Sequence, residues 1–505
     1  MNRIIRRRIQ AEKRRVERRL ERAVEVNADG PVLAATNIHY ELADKTKAIA
    51  HGGIGAVHRL VNKLGLAARI NTALPLLKVH APYFESDHVL NIAYNALCGG
   101  RTLDDIELRR NDRVFLDALG AASIPDPTTA GDFCRRFSAE HIEALMGAIN
   151  ETRIDVWKRH PTLTSETARI DADGTLIETH GECKQGMDIT YEGKWGYSTL
   201  LVSLANTAEP LFIYNRSGNR PSHEGAIGYF DKAIALCRKA GFKDILLRGD
   251  TDFSLTAAFD HWHDDKVRFI FGNDANATMK AWAGSAPDDM YKELQREAER
   301  ALETKPRARP ENVKQRIVVE RGFEDIRLKG EDVVDFEYRP GKCKHTYRVV
   351  AVRKNLSHEK GELVLFEEVR YFFYITNDRT LSCDEVVREA NDRCNQENLI
   401  EQLKNGARSL HAPVNTLNAN WAYMVMASLA WSLKAWVALT LPIHPRWRER
   451  HVEEQNKLLR MDFRTFLAAF INVPCQILRS GRQLIFRLLA WNPWQHVFFR
   501  FADTT

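Results

Sequence analysis

The sequence lacks the cysteine pattern of a disulfide-bonded or zinc-binding protein. Its 505 residues contain eight cysteines, which lie far apart and form no C-x-x-C pair. Disulfide frameworks and zinc knuckles place cysteines at short, regular spacings. We therefore interpret the cysteines as reduced packing residues, which is typical of a cytoplasmic protein.

Other absences narrow the function further. No apolar run follows the arginines of the first segment, so no secretory signal is predicted and a cytoplasmic location is expected. No glycine-rich loop that could cradle phosphates is present in the sequence, which argues against an ATP-driven motor or recombinase. One long apolar run, residues 421–441, is interrupted by Lys434 and diluted by Ser428 and Ser432. This run is interpreted as a buried helix, not a membrane span.

Positive charge is concentrated at the start of the chain. The formal net charge is only +6, yet the opening MNRIIRRRIQAEKRRVERRLERA is dense in arginine. Such a segment attracts a polyanion such as nucleic acid and makes the binding sensitive to salt. Arginine and glutamate at helical spacing could equally form a solvated, salt-bridged helix, so both interpretations stay open.

Hydrophobic patterning predicts a helical region followed by a mixed one. Residues 37–160 alternate helix-like segments with short breaks such as SIPDPTTAGDFCRRF. From residue 167, the strand-like runs ARIDADGTLIETHG, GYSTLLVSLAN and EPLFIYN precede the helix-like GAIGYFDKAIALCRKAG and the strand KDILLRGD. With RFIFGN as a fifth strand, this order predicts a mixed α/β sheet.

The pattern changes again from about residue 281 to residue 367. A charged, helix-like run, DDMYKELQREAERALE, precedes QRIVVERGFEDIRL, DFEYRP and HTYRVVAVRKN, which are interpreted as strands of a largely antiparallel, inserted sheet. RYFFYITND predicts a further strand, and Ser382 with Glu385 marks the capping box of the next helix. Residues 410–505 are tryptophan-rich and predicted to be helical.

Three acidic residues lie where a sheet-based active site could use them. Asp173 is near a strand end in IDADGT, Asp250 ends the strand DILLRGD, and Glu397 is on the helix RCNQENLIEQLK. Carboxylates that converge from two strands and a helix supply hard oxygen ligands for two divalent cations, which can drive phosphodiester displacement. Acids at strand ends are common, so neighbouring acids remain competitors. These competitors are Asp171, Asp252, Glu178 and Glu401.

The helix RCNQENLIEQLK also places charge on its apolar side. Projected at 100° per residue, Arg393, Glu397 and Lys404 fall on the stripe that carries Val386 and Ile400. The opposite face is polar and can meet solvent. The three charged side chains are therefore expected to face a ligand or other charged groups.

In this order, the three acidic motifs resemble those of a known family. IDADGT, LLRGDTDFS and RCNQENLIEQLK are similar to the acidic motifs of bacterial insertion-sequence DDE transposases with a ribonuclease H-like core. The chain most resembles the insertion sequence 1380 group, which has segments like RTLDDIELRRNDRVFLDALG with PDPTT, and like YEGKWGYSTLLVSL. The resemblance extends from about residue 60 to residue 436.

This resemblance implies a fold and a division of the chain. The fold is α/β: a ribonuclease H-like mixed sheet forms the catalytic core, a largely antiparallel β domain is inserted in it, and the N-terminal and C-terminal regions are helical. The expected units are a basic arm (1–36), a helical DNA-binding domain (37–160), the first part of the core (161–280), the β-rich insertion (281–367), the second part of the core with the catalytic Glu helix (368–440) and a helical C-terminal region (441–505).

The resemblance also implies roles for individual residues. Asp173, Asp250 and Glu397 correspond to the catalytic triad, which holds two Mg²⁺ ions that Mn²⁺ can replace. Arg393 and Lys404 fit the spacing of the Y-R-E-K signature and would contact DNA phosphates. Ala390 occupies the tyrosine position, so the chain keeps three of the four signature residues.

The implied activity is metal-dependent DNA cleavage followed by strand transfer, as in cut-and-paste transposition. The expected partners are double-stranded DNA, as terminal inverted repeats and as target, and a second copy of the chain in the synaptic complex. No membrane partner is expected, and the cytoplasmic protein would associate with the nucleoid. Two alternatives remain: a ribonuclease H-like nuclease or resolvase without strand transfer, and a transposase-derived DNA-binding protein that does not cleave.

Overall fold

The computed structural model describes residues 3–26, 38–40, 46–80, 82–181, 183–294, 313–481 and 483–503. Two segments used in the sequence analysis lie partly outside these ranges. Residues 27–36 of the predicted basic arm are not among the described residues, and neither are residues 295–303 of the charged run DDMYKELQREAERALE.

Helices dominate the N-terminal region, as its sequence pattern predicts. They are α1 Arg3–Val26, α2 Ile54–Leu64, α3 Leu66–Ala73, α4 Glu85–Leu97, α5 Ile106–Arg110, α6 Arg113–Leu119, α7 Pro127–Arg135, α8 Ala139–Trp157 and α9 Pro161–Thr164, with one short strand, β1 Ala48–Ile49. The proline turn before α7 acts as expected, because the Asp126 side chain accepts a hydrogen bond from the backbone N–H of Thr129 and Pro127 stands in the first turn.

A ten-stranded mixed sheet forms the centre of the protein. Its strands are β2 Ala168–Glu178, β3 Asp188–Ile189, β4 Trp195–Leu204, β5 Glu209–Ser217, β6 Ile245–Gly249, β7 Arg268–Asn273, β8 Lys292–Glu293, β9 Glu324–Tyr338, β10 Tyr347–Lys360 and β11 Leu363–Thr376. They are ordered β3-β4-β2-β6-β7-β11-β10-β9-β8, and β5 pairs with β4. β2 is antiparallel to β4 and parallel to β6, which is parallel to β7. The predicted mixed α/β sheet is confirmed.

The strands after residue 320 continue the same sheet. β11 pairs with β7 antiparallel over residues 373–376, and β10 lies between β11 and β9. β11 extends across residues 367 and 368, where the boundary between the insertion and the second part of the core is expected. That boundary stays a prediction. The interpretation of QRIVVE as strand is wrong: Val313–Glu320 is a helix, α13, and the strand begins at Glu324. Val313 and Ile317 have helical i, i+4 spacing, and Gly322, with φ of +63°, separates helix from strand.

The remaining helices follow the sheet strands or form the C-terminal region. They are α10 Ala226–Ala240, α11 Thr256–Asp264, α12 Ala277–Ser285, α14 Cys383–Asp392, α15 Cys394–Glu401, α16 Leu417–Leu439, α17 Arg448–Arg460, α18 Phe463–Phe466 and α19 Gln495–Ala502. The Ser382 and Glu385 capping box of α14 is present as predicted.

The expectation of a wholly helical C-terminal region is wrong in one place. β12 Cys475–Ser480 and β13 Gln483–Leu488 form a hairpin, and β12 also pairs with β1. The run QILRSGRQLIFRL has short segments with Ile, Leu and Phe on both sides of Gly481, which has a φ of +59°. Two such segments separated by a turn with glycine are a hairpin signal, and this signal outweighs the helical character of the surrounding sequence.

The apolar helix α16 lies in the core. By length and composition it could cross a membrane, but its apolar window is wholly buried inside the protein. The prediction of a buried helix is confirmed. The side chain of Lys434 is carried into this core, where its Nζ donates to the carbonyl of Leu459 at 2.8 Å and lies 3.9 Å from the centre of the Trp431 ring.

A buried carboxylate joins three parts of the fold. Glu209, which is fully buried on β5, accepts hydrogen bonds from Arg153 and Trp157 of α8 and from Trp436 of α16. A buried charge is tolerated only where such donors replace its hydration. The N-terminal helices, the sheet and the C-terminal helix therefore share one core.

Candidate active site

The sheet brings Asp173 and Asp250 to the same height on neighbouring strands. β2 and β6 are parallel and pair Asp171 with Arg248, the last pair of this ladder. Two residues further along each strand stand Asp173 and Asp250, on the same face as that pair because side chains alternate with a period of two. Asp250 directly follows β6, and its carboxylate accepts a hydrogen bond from the backbone N–H of Asp252 at 2.9 Å.

Asp171 is part of a buried ion network below these carboxylates. Arg248 donates to both of its oxygens, at 2.7 and 2.9 Å, and both side chains are buried. Arg248 also donates to the Glu389 carboxylate at 3.1 Å, and Arg169 binds Glu389 through two nitrogens. The bidentate contact with Arg248 occupies both oxygens of Asp171, so we assign this residue a structural role.

Glu397 reaches the site from a helix that is not continuous, although the sequence predicted one helix from the capping box onward. α14 ends at Asp392, α15 begins at Cys394, and Gln402–Gly406 forms a π-helical turn. A π turn widens the helix, so the projection at 100° per residue does not hold as far as Lys404. Glu397 itself lies in the first turn of α15.

A buried glutamine fixes α15 against the sheet. The side chain of Gln396 donates to the carbonyl of Leu201 on β4 at 3.3 Å and accepts a hydrogen bond from Ser203 on the same strand. This contact orients the helix turn that carries the exposed Glu397, whose charge acts on Asp173. The prediction that Asp173 is near a strand end is wrong: β2 continues to Glu178, and Asp173 lies in its middle, opposite Leu201 of β4.

Arg393 binds directly to the acidic group. Its Nη1 lies 3.5 Å from Oδ2 of Asp173, and both side chains are largely buried. Burial raises the pKa of Asp173 to about 7; the positive charge of Arg393 opposes this rise, and the negative charges of Asp250 and Glu397 add to it. Burial also raises the pKa of Asp250, against the opposing charge of Arg393. The three carboxylates and Arg393 thus share one electrostatic environment.

The donor chemistry of this group fits a divalent cation. Carboxylate oxygens are the hard ligands that Mg²⁺ prefers, and the pKa of Asp173 is raised by burial first and by the charges of Asp250 and Glu397 second, both of which a bound cation would oppose. Within the described ranges, no three His, Cys, Asp or Glu side chains are close enough together to hold a metal ion in this conformation. Instead, the guanidinium of Arg393 forms an ion pair with one of the acids, Asp173.

Lys404 lies beside the site in a neighbouring cavity of about 390 Å³. Its Nζ donates to the carbonyl of Leu176 on β2 at 2.8 Å. Burial lowers the pKa of Lys404, while the charges of Glu192 and Asp173 oppose that shift. Tyr191, which is largely exposed, lines the same cavity and gives it an aromatic wall.

The competing acids occupy different surroundings. At the far end of β2, Glu178 forms an ion pair with Lys194 at 3.7 Å and lies 3.8 Å from Nε2 of His180. Glu401 accepts hydrogen bonds from Gln402 and Asn405 on the exposed side of the helix. Asp252 is the nearest competitor, because its charge acts on Asp250 and raises the pKa of that residue.

Two residues of this region were not found from the sequence. Glu389 anchors Arg169 and Arg248, and Gln396 anchors α15 to β4. Glu389 follows Arg388 on a helix face that looks solvated, and its role depends on arginines from two other strands. The only sequence signal was Arg248 itself, a charged residue within the apolar strand DILLRGD.

Comparison with known proteins gives a family for this arrangement. None of the curated proteins compared matches the chain significantly. Among solved structures, the chain is similar to a cryo-EM structure of the piggyBac transposase synaptic complex with hairpin DNA, with a TM-score of 0.36 and 10% sequence identity over 84% of this chain and 81% of that one. At that TM-score the similarity carries no argument. The family model described as transposase DDE domain group 1 matches residues 42–504, nearly the whole sequence. The chain therefore belongs to the transposase DDE domain group 1 family.

Proposed function

We propose that this DDE-family protein is the transposase of an insertion sequence, of the insertion sequence 1380 type, which binds terminal inverted repeats and catalyses metal-dependent DNA cleavage and strand transfer. The observation that carries the proposal is that Arg393 contacts Asp173 while the charges of Asp250 and Glu397 both act on that carboxyl. Membership of a transposase family supports the class of reaction.

Asp173, Asp250 and Glu397 would hold two Mg²⁺ ions, or Mn²⁺ in their place. When bound, the ions supply charge stabilisation to the attacking and leaving oxygens of a phosphodiester. The chain's own residues set up that site. Gln396 holds α15 against β4, and the Arg248 network joins β2 and β6 to α14, so the elements that carry the three carboxylates lie side by side.

Arg393 has two roles in this proposal. In the metal-free protein it offsets the repulsion among the carboxylates, through its 3.5 Å contact with Asp173. With cations and DNA bound, the guanidinium of Arg393 would be free to bind a phosphate at the cleaved end. Lys404, beside it in the cavity that contains Tyr191, binds the next phosphate along the strand.

A second cationic region supports DNA binding away from the chemistry. α1 carries exposed arginines and contacts the last helix, α19. Near this contact, a cavity of about 590 Å³ is lined by three arginines and three histidines. They are Arg6, Arg450, Arg500, His444, His451 and His496. In the proposal, this surface and the helical domain of residues 37–160 bind the inverted repeats, with phosphate contacts for affinity and base contacts for specificity.

The remaining parts of the proposal concern architecture and setting. The core is of the ribonuclease H type, formed by residues 161–280 and 368–440 and interrupted by the β-rich insertion 281–367. The active form is a homodimer that pairs two element ends, and the protein works in the cytoplasm on nucleoid DNA. A resolvase that cuts without joining would use the same acids, and joining assays separate it from a transposase.

The decisive experiment compares Glu397→Gln and Asp250→Asn with Glu401→Gln. DNA that carries the ends flanking the gene is incubated with Mg²⁺, and cleavage and joining are followed on gels. The first two variants should lose cleavage but retain binding in gel-shift assays, because only the metal ligands are changed. Glu401→Gln should cleave normally, since Glu401 bonds with Gln402 and Asn405. Normal cleavage by Glu397→Gln would refute the assignment.

A further inference from the structure

The long strand β11 has one edge that is only partly paired. Along one edge it pairs with β10 from Leu363 to Thr376. Along the other edge it pairs with β7 only over residues 373–376. Among the described residues, no strand lies against this second edge from residue 363 to residue 372. Within the described part of the chain, about two thirds of the strand's outer edge therefore has backbone N–H and C=O groups that no other strand pairs.

This free edge is apolar and accessible. Phe366 is 55% exposed, Val369 51% and Phe372 44%. Soluble proteins usually protect such edges with lysine, proline or a charged side chain that faces inward, because a flat apolar edge pairs with other strands. Residues 363–372, LVLFEEVRYF, contain neither lysine nor proline; their charged residues are Glu367, Glu368 and Arg370, and the last two form an ion pair with each other. An edge of this kind is suited to strand addition by a partner.

The regular part of the edge has defined limits. Toward the hairpin tip, the pairing of β10 with β11 shifts between His358 and Glu359, so that Leu365 has no opposite residue. Such a bulge twists the strand and ends a flat edge. Toward the core, β7 covers the edge from Phe373 onward. The free, regular segment is thus residues 366–372, and Val369 is its middle residue.

We propose that this segment of β11 pairs antiparallel with the same segment of a second copy of the chain, about a two-fold axis at Val369. A closed dimer needs a self-complementary patch, in which residue i meets j and j meets i. Centring the pairing on Val369 uses the whole free segment. It sets Phe366 opposite the partner's Phe372, and apolar pairs of this kind stabilise a sheet.

Charge favours this register over its neighbours. In the Val369-centred pairing, Glu368 stands opposite the partner's Arg370 at two places related by symmetry. Shifting the axis to Glu368 or to Arg370 would instead set like charges directly opposite each other, which destabilises a strand pair. In the single chain, Glu368 and Arg370 already bond to each other on one face of β11, at 2.6 and 2.8 Å. In the dimer, each Glu368 bonds to the Arg370 of the partner subunit instead of the Arg370 of its own chain.

The inference specifies the surface of the homodimer in the proposed function, and its test is independent of that function. Association is measured by sedimentation velocity at several concentrations, without DNA or divalent cation. The wild-type chain should associate as its concentration rises. A wild-type chain that stays monomeric throughout would overturn the inference while leaving the cleavage proposal intact.

Charge-reversal variants test the register. Glu368→Arg presents two cations and Arg370→Glu two anions at this edge, so each variant alone should be monomeric. An equimolar mixture restores opposite charges at both places and should form the heterodimer, and the double variant should form the homodimer. Arg487→Glu, on the exposed strand β13, is the matched control and should associate like the wild type. A mixture that fails to associate would overturn the register.

A further variant distinguishes loss of pairing from misfolding. Val369→Lys changes an exposed side chain and places two ammonium groups together at the proposed axis. It should keep the wild-type circular dichroism spectrum and melting temperature, and remain monomeric at concentrations where the wild type associates. A folded Val369→Lys chain that still dimerises would refute pairing at this edge.

Discussion

The guanidinium of Arg393 and the carboxylate of Asp173 form a contact of 3.5 Å at the centre of the acidic group. The pKa of Asp173 is nevertheless raised to about 7, because burial and the charges of Asp250 and Glu397 outweigh that single contact. The site is therefore strained electrostatically when no further cation is present. Its stability should respond to pH and to divalent ions.

Asp173→Asn should stabilise the protein in the absence of divalent cations at pH 8. The folded pKa of Asp173, about 7, lies above the value near 3.9 of an unfolded chain, so the folded state binds this proton more tightly. Wild-type stability from this group is present below about pH 4, falls as the pH rises to 7, and stays low above it. Asparagine removes that penalty, which we expect to raise the free energy of unfolding by about 1–3 kcal/mol at pH 8 and by less at pH 5.

Urea unfolding at the two pH values measures this effect. Asp274→Asn, at an exposed carboxylate, is the control and should show no pH-dependent gain. Mg²⁺ should raise the melting temperature of the wild type at pH 8 and not that of Asp173→Asn. Equal gains for Asp173→Asn at pH 5 and pH 8 would contradict the raised pKa.

Asp171→Asn should have the opposite effect on stability. It leaves the buried guanidinium of Arg248 without its bidentate partner, and Glu389 supplies only one remaining carboxylate contact. Breaking one side of a buried ion pair costs about 3–5 kcal/mol, and we expect a loss of about 3 kcal/mol. The paired replacement Asp171→Leu with Arg248→Met should recover part of that loss in urea unfolding. No loss in Asp171→Asn would show that the pair contributes nothing.

The sequence predicts those parts of the fold that local pattern determines. The strands around Asp173 and Asp250 alternate or end at glycine, and the Ser382 and Glu385 capping box marks a helix start, so these features could be predicted. Glu209 could not be, because its three donors come from helices distant in sequence. No local pattern indicates that hydrogen bonds from two tryptophans and an arginine will stabilise this buried carboxylate.

The candidate site shows the same division. The candidate acids could be predicted from their places on the strands and the helix. Which of them lie close together depends on long-range contacts. The bond from Gln396 to β4 and the π turn at Gln402–Gly406 decide where Glu397 and Lys404 lie, and neither has a clear signature in one sequence. The π turn changes the helical phase between Glu397 and Lys404, which a projection at 100° per residue does not include.

Arg393→Ala should weaken binding to end-bearing DNA and reduce its salt dependence. Each phosphate contact releases about one counterion, so the slope of log K against log salt should fall by about one unit. Fluorescence anisotropy between 50 and 300 mM KCl measures the slope. Arg388→Ala is the matched control, because Arg388 lies on the preceding helix and pairs with Glu385. An unchanged slope in Arg393→Ala would exclude a phosphate contact.

Lys434→Met should stabilise the protein most at low pH. Lys434 is 1% exposed within α16, and burial lowers its pKa to about 7, against about 10.4 in an unfolded chain. Between pH 7 and 10 the unfolded state binds this proton more tightly, so wild-type stability from this group rises with pH, while below pH 7 the core carries the charge. Methionine keeps the length of the side chain without the charge, although it loses the bond to Leu459 and the contact with the Trp431 ring. We expect a net gain of about 1–3 kcal/mol at pH 6 that disappears near pH 9.5, measured by urea unfolding.

Lys457→Met on the exposed face of α17 should change stability by less than about 0.5 kcal/mol. A gain that did not depend on pH would mean that the pKa of Lys434 is not lowered in the folded protein.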